Sequence, residues 1–328
     1  MRIAIVGAGA VGGYVGVRLA LAGERVTFLA RGANLEAIRS RGVKLVLSDG
    51  AELVARDVEA TADYAAAGPQ DLVILAVKAH QLEAVAAEVP KLLGAESCIV
   101  TMQNGIPYWY FHRHGGPFEG RPVAAVDPAG ACLRGIPPGR VIGCVVYPAS
   151  VLTAPGVIRH IEGDRFPVGE LDGSASTRVQ AVSRCLTGAG FQAPVLDNIR
   201  AEIWLKLWGN LTFNPISALA RATLADICQF ALTRSLAESM MAEAQTVAHK
   251  LGISFRVPIE RRIAGAERVG SHKTSMLQDL EAGRVMETDA LLGSVLELAR
   301  LTETPVPTLA AVYALLKLLG RPFEASAA

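Results

Sequence analysis

The chain has 328 residues, a length that predicts two domains. It carries 32 lysines and arginines against 31 aspartates and glutamates, and this net charge of +1 gives no indication of binding to nucleic acid. No run approaches the ~18 uncharged apolar residues of a membrane span. The five cysteines are widely spaced and fit no metal or redox motif, so we expect a cytoplasmic protein with reduced thiols and no metal.

The first thirty residues predict a strand, a glycine-rich turn, a helix and a second strand. Residues 2–6 are apolar, the next six read GAGAVG, 11–23 fit a helix and 25–30 fit a strand. In this context a GxGxxG motif indicates a dinucleotide site, because its glycines permit a tight turn, close approach of the backbone to a pyrophosphate, and close helix packing. The helix N-terminus offers its amide groups to the phosphates. The predicted cofactor-binding residues here are Gly7, Ala8, Gly9, Ala10, Val11 and Gly12.

The end of the second predicted strand bears on the choice of cofactor. An NAD site usually has an acidic residue there, which binds the ribose hydroxyl. This chain has Arg31 instead, and no acidic residue lies between Arg25 and Asn34. A guanidinium suits a 2′-phosphate, so we predict NADP(H) over NAD(H), the alternative being that Arg31 is a solvated surface residue.

Polar residues follow two further predicted strands. Residues 43–55 predict a hairpin, 71–77 a buried strand, 80–93 a helix and 97–102 another strand. Lys78 follows the first of the two strands, and Gln103 and Asn104 follow the second. Ligands of open α/β sheets bind beyond the carboxyl ends of strands, so Lys78 is a candidate for contact with a cofactor phosphate or the substrate, and Asn104 for contact with the nicotinamide.

The remainder of the chain divides into an irregular stretch, a short α/β part and a helical part. Residues 107–140 predict no regular element, and the aromatic residues 108–111 either line a pocket or anchor a loop. Strand-like runs at 141–148, 156–161 and 165–170 precede a helix over 174–189. We therefore predict a Rossmann-type NADP-binding domain over 1–196 and a helical substrate-binding and catalytic domain over 197–328.

Residues 197–215 predict a helix with a polar line on a mostly apolar surface. Asp197 is the predicted cap and Pro215 the predicted stop or kink. Lys206, Asn210 and Asn214 are spaced four apart and share one side of the helix. A buried lysine needs compensation for its charge, so this residue is either a structural lysine paired with a carboxylate or part of a catalytic cleft.

The whole chain resembles the ketopantoate reductase family. The resemblance rests on GAGAVG, the VK of LAVKAHQ, QNG at 103–105, the pattern W-x-K-x3-N-x3-NP over 204–215, and SMLQD-x2-AGR-x2-E-x-D over 275–289. It implies an N-terminal Rossmann-type domain, an all-helical C-terminal domain, a cleft between them and NADPH as hydride donor.

The same resemblance implies the roles of individual residues. Lys206 corresponds to the catalytic lysine, and Glu287 to the acid that holds the substrate hydroxyl and the cofactor. Lys78 corresponds to the strand-end lysine near the cofactor, and Ala149 to a backbone contact with it. The residues that orient the substrate by this resemblance are Asn104, Asn210, Asn214 and Ser275.

These residues suit reduction of a ketone, because a lysine ammonium can stabilise a developing alkoxide and donate a proton to it. The resemblance implies that the reaction is NADPH-dependent reduction of 2-dehydropantoate to pantoate. The sequence departs from the family after QNG, where residues 106–140 are rich in aromatic residues, proline and glycine. The alternatives are therefore a related reductase of another small 2-oxo acid, a β-hydroxyacid dehydrogenase of similar layout, and a cofactor-sensing protein without catalysis. The apolar C-terminal helices make a homodimer plausible.

Overall fold

The computed structural model describes residues 1–327, with side chains described up to residue 323. Two compact units divide the chain. The first comprises residues 1–103, 109–122 and 129–199, and the second comprises 104–108, 123–128 and 200–328. The domain division at 196/197 stays a prediction, and the two short segments before residue 129 belong to the second compact unit although they precede that division.

The strands all lie in the first unit. Their bounds are β1 (Arg2–Val6), β2 (Arg25–Leu29), β3 (Val43–Val46), β4 (Glu52–Ala55), β5 (Glu59–Thr61), β6 (Gln70–Leu75), β7 (Leu93–Thr101), β8 (Val141–Cys144), β9 (Ala149–Ala154), β10 (Val157–Glu162) and β11 (Val168–Glu170). One sheet has the order β11-β8-β7-β6-β1-β2-β5, parallel except at β11, and the other has the order β4-β3-β10-β9. β1, β2 and β6 are apolar and buried, as parallel strands covered on both faces must be.

The helices of the first unit cover these sheets, and those of the second unit form an all-helical body. Their bounds are α1 (Ala10–Leu21), α2 (Gly32–Arg41), α3 (Tyr64–Ala67), α4 (Leu82–Ala86), α5 (Ala131–Gly135), α6 (Thr177–Gly188), α7 (Ile199–Ala220), α8 (Leu224–Gln229), α9 (Ala231–Lys250), α10 (Ile259–Val269), α11 (Ser275–Glu281), α12 (Ser294–Leu301) and α13 (Pro307–Ala327). A π-helical turn, Asp289–Gly293, precedes α12. This architecture confirms the predicted fold class. None of the described helices is long and apolar enough to cross a membrane.

Two sequence expectations about helices are wrong. The helix expected over 80–93 is broken into α4 and two 3-10 turns, and Pro90 lies in the second turn, where its missing N–H prevents a continuous helix. α7 begins at Ile199, so the residue directly before it is Asn198 and not the expected cap, Asp197.

Pro215 does not end α7, which continues to Ala220. A proline inside a helix removes one backbone hydrogen bond and costs about 3 kcal/mol. Trp204, Trp208 and Leu211 on the same helix are fully buried. This burial stabilises the helix through its packing, which outweighs the local preference of one residue.

Candidate active site

The glycine-rich turn lies between β1 and α1. Its glycines have different structural roles. Gly7 has φ +100°, a conformation that favours glycine, and its N–H donates to the Leu29 carbonyl on β2 at 3.1 Å. A Cβ at Gly12 would overlap the Gly7 carbonyl oxygen, so only glycine lets the first turn of α1 lie this close to the strand. The local backbone therefore has the geometry expected from the motif.

The space beside Gly9 fits a pyrophosphate. Gly9 is the N-cap of α1, makes no side-chain cap hydrogen bond, and a Cβ built on it meets no atom within 4 Å. The first turn of α1 contains no acidic residue. The first N–H groups of a helix have no partner within the helix, and together with the helix dipole they attract an anion. Gly7 to Gly12 would hold the diphosphate of a dinucleotide through these backbone groups.

Arg31 lies just beyond the end of β2, where it is the N-cap residue of α2 and is exposed. Its charge acts on Tyr64, the first residue of α3. The Tyr64 side chain is buried, and this burial raises the pKa of its hydroxyl while the nearby Arg31 charge lowers it. Strand pairing accounts for the contact, because β5 leads into α3 and is the neighbour of β2 in the sheet. Sequence analysis did not identify Tyr64.

Lys78 and Gln103 follow β6 and β7, so they lie at the same edge of the parallel sheet as the glycine turn. Gln103 donates through Nε2 to the carbonyls of Leu75 at 2.8 Å and Val77 at 2.9 Å. A Cβ at Gly7 would lie 2.9 Å from the backbone nitrogen of Val77. Gln103 therefore stabilises the strand end that packs against the turn.

Ala149 begins β9 in the smaller sheet, where it pairs with Glu162 of β10. Helix α1 packs on this sheet, and a Cβ on its Gly13 would overlap the side chain of Ile158. The smaller sheet thus connects the strand of Ala149 with α1. A backbone contact between Ala149 and the cofactor stays a prediction.

In the second unit, Asn104 joins Lys206 to Glu287. The Lys206 Nζ donates to Asn104 Oδ1 at 2.8 Å, and Asn104 Nδ2 donates to Glu287 Oε2 at 2.9 Å. The amide orientation follows from charge, because its oxygen faces the cation and its NH2 group faces the carboxylate. All three side chains are partly buried, so charge-assisted hydrogen bonds here are less screened than on the open surface. We call these three residues the Lys206 row.

The other residues of the polar line occupy the next turns of α7. Asn210 is partly buried and Asn214 is buried. Asn214 Nδ2 lies 3.5 Å from Oγ of Ser275, the exposed first residue of α11. This contact joins the motif over 204–215 to the motif over 275–289 within the helical unit.

A feature that sequence analysis missed holds Asn104 in place. The next residue, Gly105, has φ +85°, and a Cβ on it would overlap the carbonyl oxygen of Ala290. The N–H of Ile106 donates to that same carbonyl at 3.1 Å. Ala290 lies in the π-helical turn, where the usual i to i+4 bonding is displaced. The π-helical turn thus provides the carbonyl that binds the loop bearing Asn104.

The aromatic residues after this loop are buried. Trp109, Tyr110 and Phe111 are at most 1% exposed, and Trp109 Nε1 donates to Thr101 Oγ1 at 3.0 Å. They serve as anchors of the irregular segment. His114 contacts the Gly115 carbonyl through Nδ1. Among the described residues no group of three or more His, Cys, Asp or Glu side chains could hold a metal ion.

Comparisons with known proteins identify the family of the chain. Residues 3–173 match the profile described as "Ketopantoate reductase PanE/ApbA", and residues 198–320 match "Ketopantoate reductase PanE/ApbA C terminal". A 2-dehydropantoate 2-reductase of Mesorhizobium japonicum is 53% identical over 321 residues, covering 98% of each chain.

Two crystal structures are also similar. One, of a protein from Ralstonia solanacearum, is 43% identical with a TM-score of 0.94 over 98% of each chain. Another, a PanE/ApbA family ketopantoate reductase from Ralstonia eutropha, is 25% identical with a TM-score of 0.84 and covers 99% of this chain and 100% of that one. Enzymes of this family use a nicotinamide dinucleotide. The chain belongs to the ketopantoate reductase family.

Proposed function

We propose that this protein reduces 2-dehydropantoate (ketopantoate) to pantoate with NADPH, the reaction that supplies pantoate for pantothenate and coenzyme A biosynthesis. The observation that carries the proposal is the Lys206 row, in which a cation, an amide and a carboxylate are joined by hydrogen bonds of 2.8 Å and 2.9 Å. The full-length likeness to a relative named for this reaction supports the choice of substrate.

The substrate is a 2-oxo acid with a hydroxyl group, and the second unit offers a matching group for each part. The amides of Asn210 and Asn214 and the hydroxyl of Ser275 are neutral donors for the carboxylate, which they bind without altering the charge of the site. Glu287 accepts a hydrogen bond from the substrate hydroxyl. Asn104 keeps Lys206 and Glu287 at a fixed separation.

Lys206 acts on the carbonyl oxygen. Bound NADPH supplies a hydride to the carbonyl carbon. As the C=O bond becomes a C–O single bond, negative charge grows on oxygen, and the Lys206 ammonium stabilises it and donates the proton. The products are the alcohol, NADP+ and a neutral lysine, which regains its proton from solvent. Hydride and proton together account for the two-electron reduction.

We propose NADPH as the cofactor on the basis of Arg31. Its position beyond β2 is where a dinucleotide fold recognises the adenosine ribose, and its charge lies near the hydroxyl of Tyr64. A guanidinium pairs with a 2′-phosphate through charge-assisted hydrogen bonds. The glycine turn does not distinguish NADPH from NADH, because both cofactors contain the pyrophosphate.

Steady-state oxidation of NADPH with ketopantoate, beside a panel of other small 2-oxo acids, tests the function. We expect kcat/KM for ketopantoate to exceed that for each other acid, and NADPH to be preferred over NADH. A higher kcat/KM for another 2-oxo acid would replace the substrate and retain the reaction class. Tight NADPH binding without turnover of any acid would favour the cofactor-sensing alternative.

We further propose a homodimer. Leu315 and Leu318 on α13 are 57% and 66% exposed, a large apolar area for a helix in water. Burial of this face against a second copy would remove it from solvent. Light scattering on the wild type and on Leu318→Glu tests the proposal, and a monomeric wild type would contradict it. A cytoplasmic location stays a prediction.

A further inference from the structure

Asn34 is a residue of α2 that contacts the glycine turn. Its Nδ2 donates to the Ala8 carbonyl at 2.6 Å, and its Oδ1 accepts from the N–H of Gly156 at 2.7 Å. Ala8 is the second residue of the GAGAVG turn, and Gly156 lies in the tight turn between β9 and β10. One amide side chain therefore connects the glycine turn, α2 and the smaller sheet, all within the first unit.

The Gly156 side of this contact is fixed independently. Gly156 has φ +71° and is buried, and its carbonyl accepts from the Lys44 N–H of β3 at 2.8 Å. A Cβ at this position would lie 3.2 Å from that of Ala37 on α2. Asn34 Oδ1 thus has a rigid donor, which fixes the orientation of its amide and points the NH2 group at Ala8.

The Ala8 side of the contact determines which way a peptide group faces. In a trans peptide the C=O and the following N–H point in opposite directions. By holding the Ala8 carbonyl, Asn34 directs the Gly9 N–H to the opposite side of the peptide plane. If this peptide turned over, a carbonyl oxygen would replace an N–H at the beginning of α1, and it would repel a pyrophosphate instead of binding it.

We propose that Asn34 is a positioning residue of the dinucleotide site, which keeps the Ala8–Gly9 peptide in the orientation that binds the pyrophosphate. The inference rests on the proposed function, since it concerns the NADPH site. This role accounts for an amide side chain at position 34. The position needs a donor to the Ala8 carbonyl, 2.6 Å away, and an acceptor for the Gly156 N–H, 2.7 Å away, and an amide provides both.

The test is direct titration of NADPH and NADH, without substrate, on the full chain. For Asn34→Ala we expect Kd for both nucleotides to rise by about 10-fold, with the NADPH-to-NADH preference unchanged, because the pyrophosphate is common to both. Asn34→Asp keeps the acceptor for Gly156 but faces Ala8 with a second oxygen. It should therefore fold and lose more affinity than Asn34→Ala, even at raised ionic strength, where its added charge is screened.

Arg41→Ala is the matched control. Arg41 also connects α2 to the β9–β10 turn, through a 3.2 Å hydrogen bond to the Pro155 carbonyl, but it does not contact Ala8. We expect its Kd for NADPH to stay within about 2-fold of wild type, since an exposed hydrogen bond contributes little. Equal losses in Arg41→Ala and Asn34→Ala would mean that Asn34 only attaches α2 to the turn, and would overturn the positioning role.

The outcomes separate this inference from the proposed function. If the wild type binds NADPH and Asn34→Ala binds it equally well, the positioning role is wrong and the proposed function stands. Should Asn34→Ala fail to fold, Asn34→Asp decides, and unchanged affinity there overturns the role. A wild type that binds neither nucleotide overturns both proposals.

Discussion

The glycine turn and the Lys206 row are built from different parts of the chain. The turn is made of backbone from six consecutive residues, and its shape depends on what a Cβ would touch at Gly7 and Gly12. The row is made of side chains, and Asn104 meets partners 102 and 183 residues away in the sequence. A site built of local backbone depends on glycines, which have no side chain. A site built of distant side chains depends on the elements that hold those side chains.

Lys206→Met breaks the row at its reactive group and should have the largest effect. The variant keeps the length of the side chain and removes the proton that the alkoxide receives. We expect kcat to fall by ~10²–10⁴-fold, while Kd for NADPH, measured by titration, stays within about 2-fold because the glycine turn is unaltered. Lys206→Arg retains the charge but holds its proton more firmly, so it should recover only part of the loss. Near wild-type turnover in Lys206→Met would exclude the lysine as the proton donor.

Gly105→Ala tests whether contact of the loop with the π-helical turn positions Asn104. A methyl group here would overlap the Ala290 carbonyl oxygen and would have to adopt φ +85°. The loop must shift, and a displacement of ~1 Å can cost about 10²-fold in rate. We expect kcat/KM for ketopantoate to fall by roughly that factor, with NADPH affinity little changed.

The control for Gly105→Ala is Gly139→Ala, because Gly139 has no positive φ and a Cβ there meets nothing within 4 Å. It should retain wild-type kcat/KM. If Gly105→Ala also retains it and remains folded, contact with the π-helical turn does not position Asn104.

Gly9→Ala is the corresponding test of the backbone-built site. Gly9 has φ −79°, which alanine adopts readily, and the added methyl meets no protein atom. The chain should therefore lose at most ~1 kcal/mol of stability through the poorer helix cap. The methyl group would occupy the space of the pyrophosphate, so we expect Kd for NADPH to rise by roughly 10- to 100-fold.

Gly188→Ala is the matched substitution, since Gly188 ends α6 in open space. Its Kd should equal that of the wild type. An equally small effect in Gly9→Ala, measured by the same titration, would show that the pyrophosphate does not approach the turn at Gly9.

The sequence predicted the backbone-built region well for a physical reason. The β1–α1–β2 pattern, the hairpin of β3 and β4, and the placement of Arg31 depend on neighbouring residues, whose hydrophobic period and glycines are visible in the chain. Local rules failed where tertiary packing outweighed them, as at Pro215 inside the buried helix α7. The preference of a single residue is a weak guide in a well-packed helix.

The Lys206 row could not be predicted from the spacing of residues in the sequence. The four-residue interval of Lys206, Asn210 and Asn214 placed them on one side of a helix, but nothing in that interval identifies Asn104 as a neighbour. Only the family resemblance grouped them. The contacts that support the two regions could not be predicted either. Neither the π-helical turn at Ala290, which supports the row, nor the bond from Asn34 to Ala8, which supports the glycine turn, has a local sequence pattern.

Arg31→Ala examines the side-chain contact that we assign to the 2′-phosphate of the dinucleotide. Without the guanidinium, the 2′-phosphate loses a charge-assisted partner while NADH loses nothing. We expect the ratio of Kd for NADH to Kd for NADPH to fall by roughly 10- to 100-fold. An unchanged ratio would make Arg31 a solvated surface residue and leave the choice of cofactor unexplained.

Tyr64→Phe should have the smallest effect, because it removes only a hydroxyl near the Arg31 charge. The side chain is buried and the ring is retained, so the fold should persist. Arg31 itself is exposed and is retained, and loss of a neighbouring polar group should lower the NADPH preference by only about 2- to 5-fold. In the Arg31→Ala background the same substitution should change nothing further, since its partner is already gone. A fall in NADPH preference of equal size in both backgrounds would show that Tyr64 acts independently of Arg31. Tyr64 would then be a second side chain that selects the cofactor.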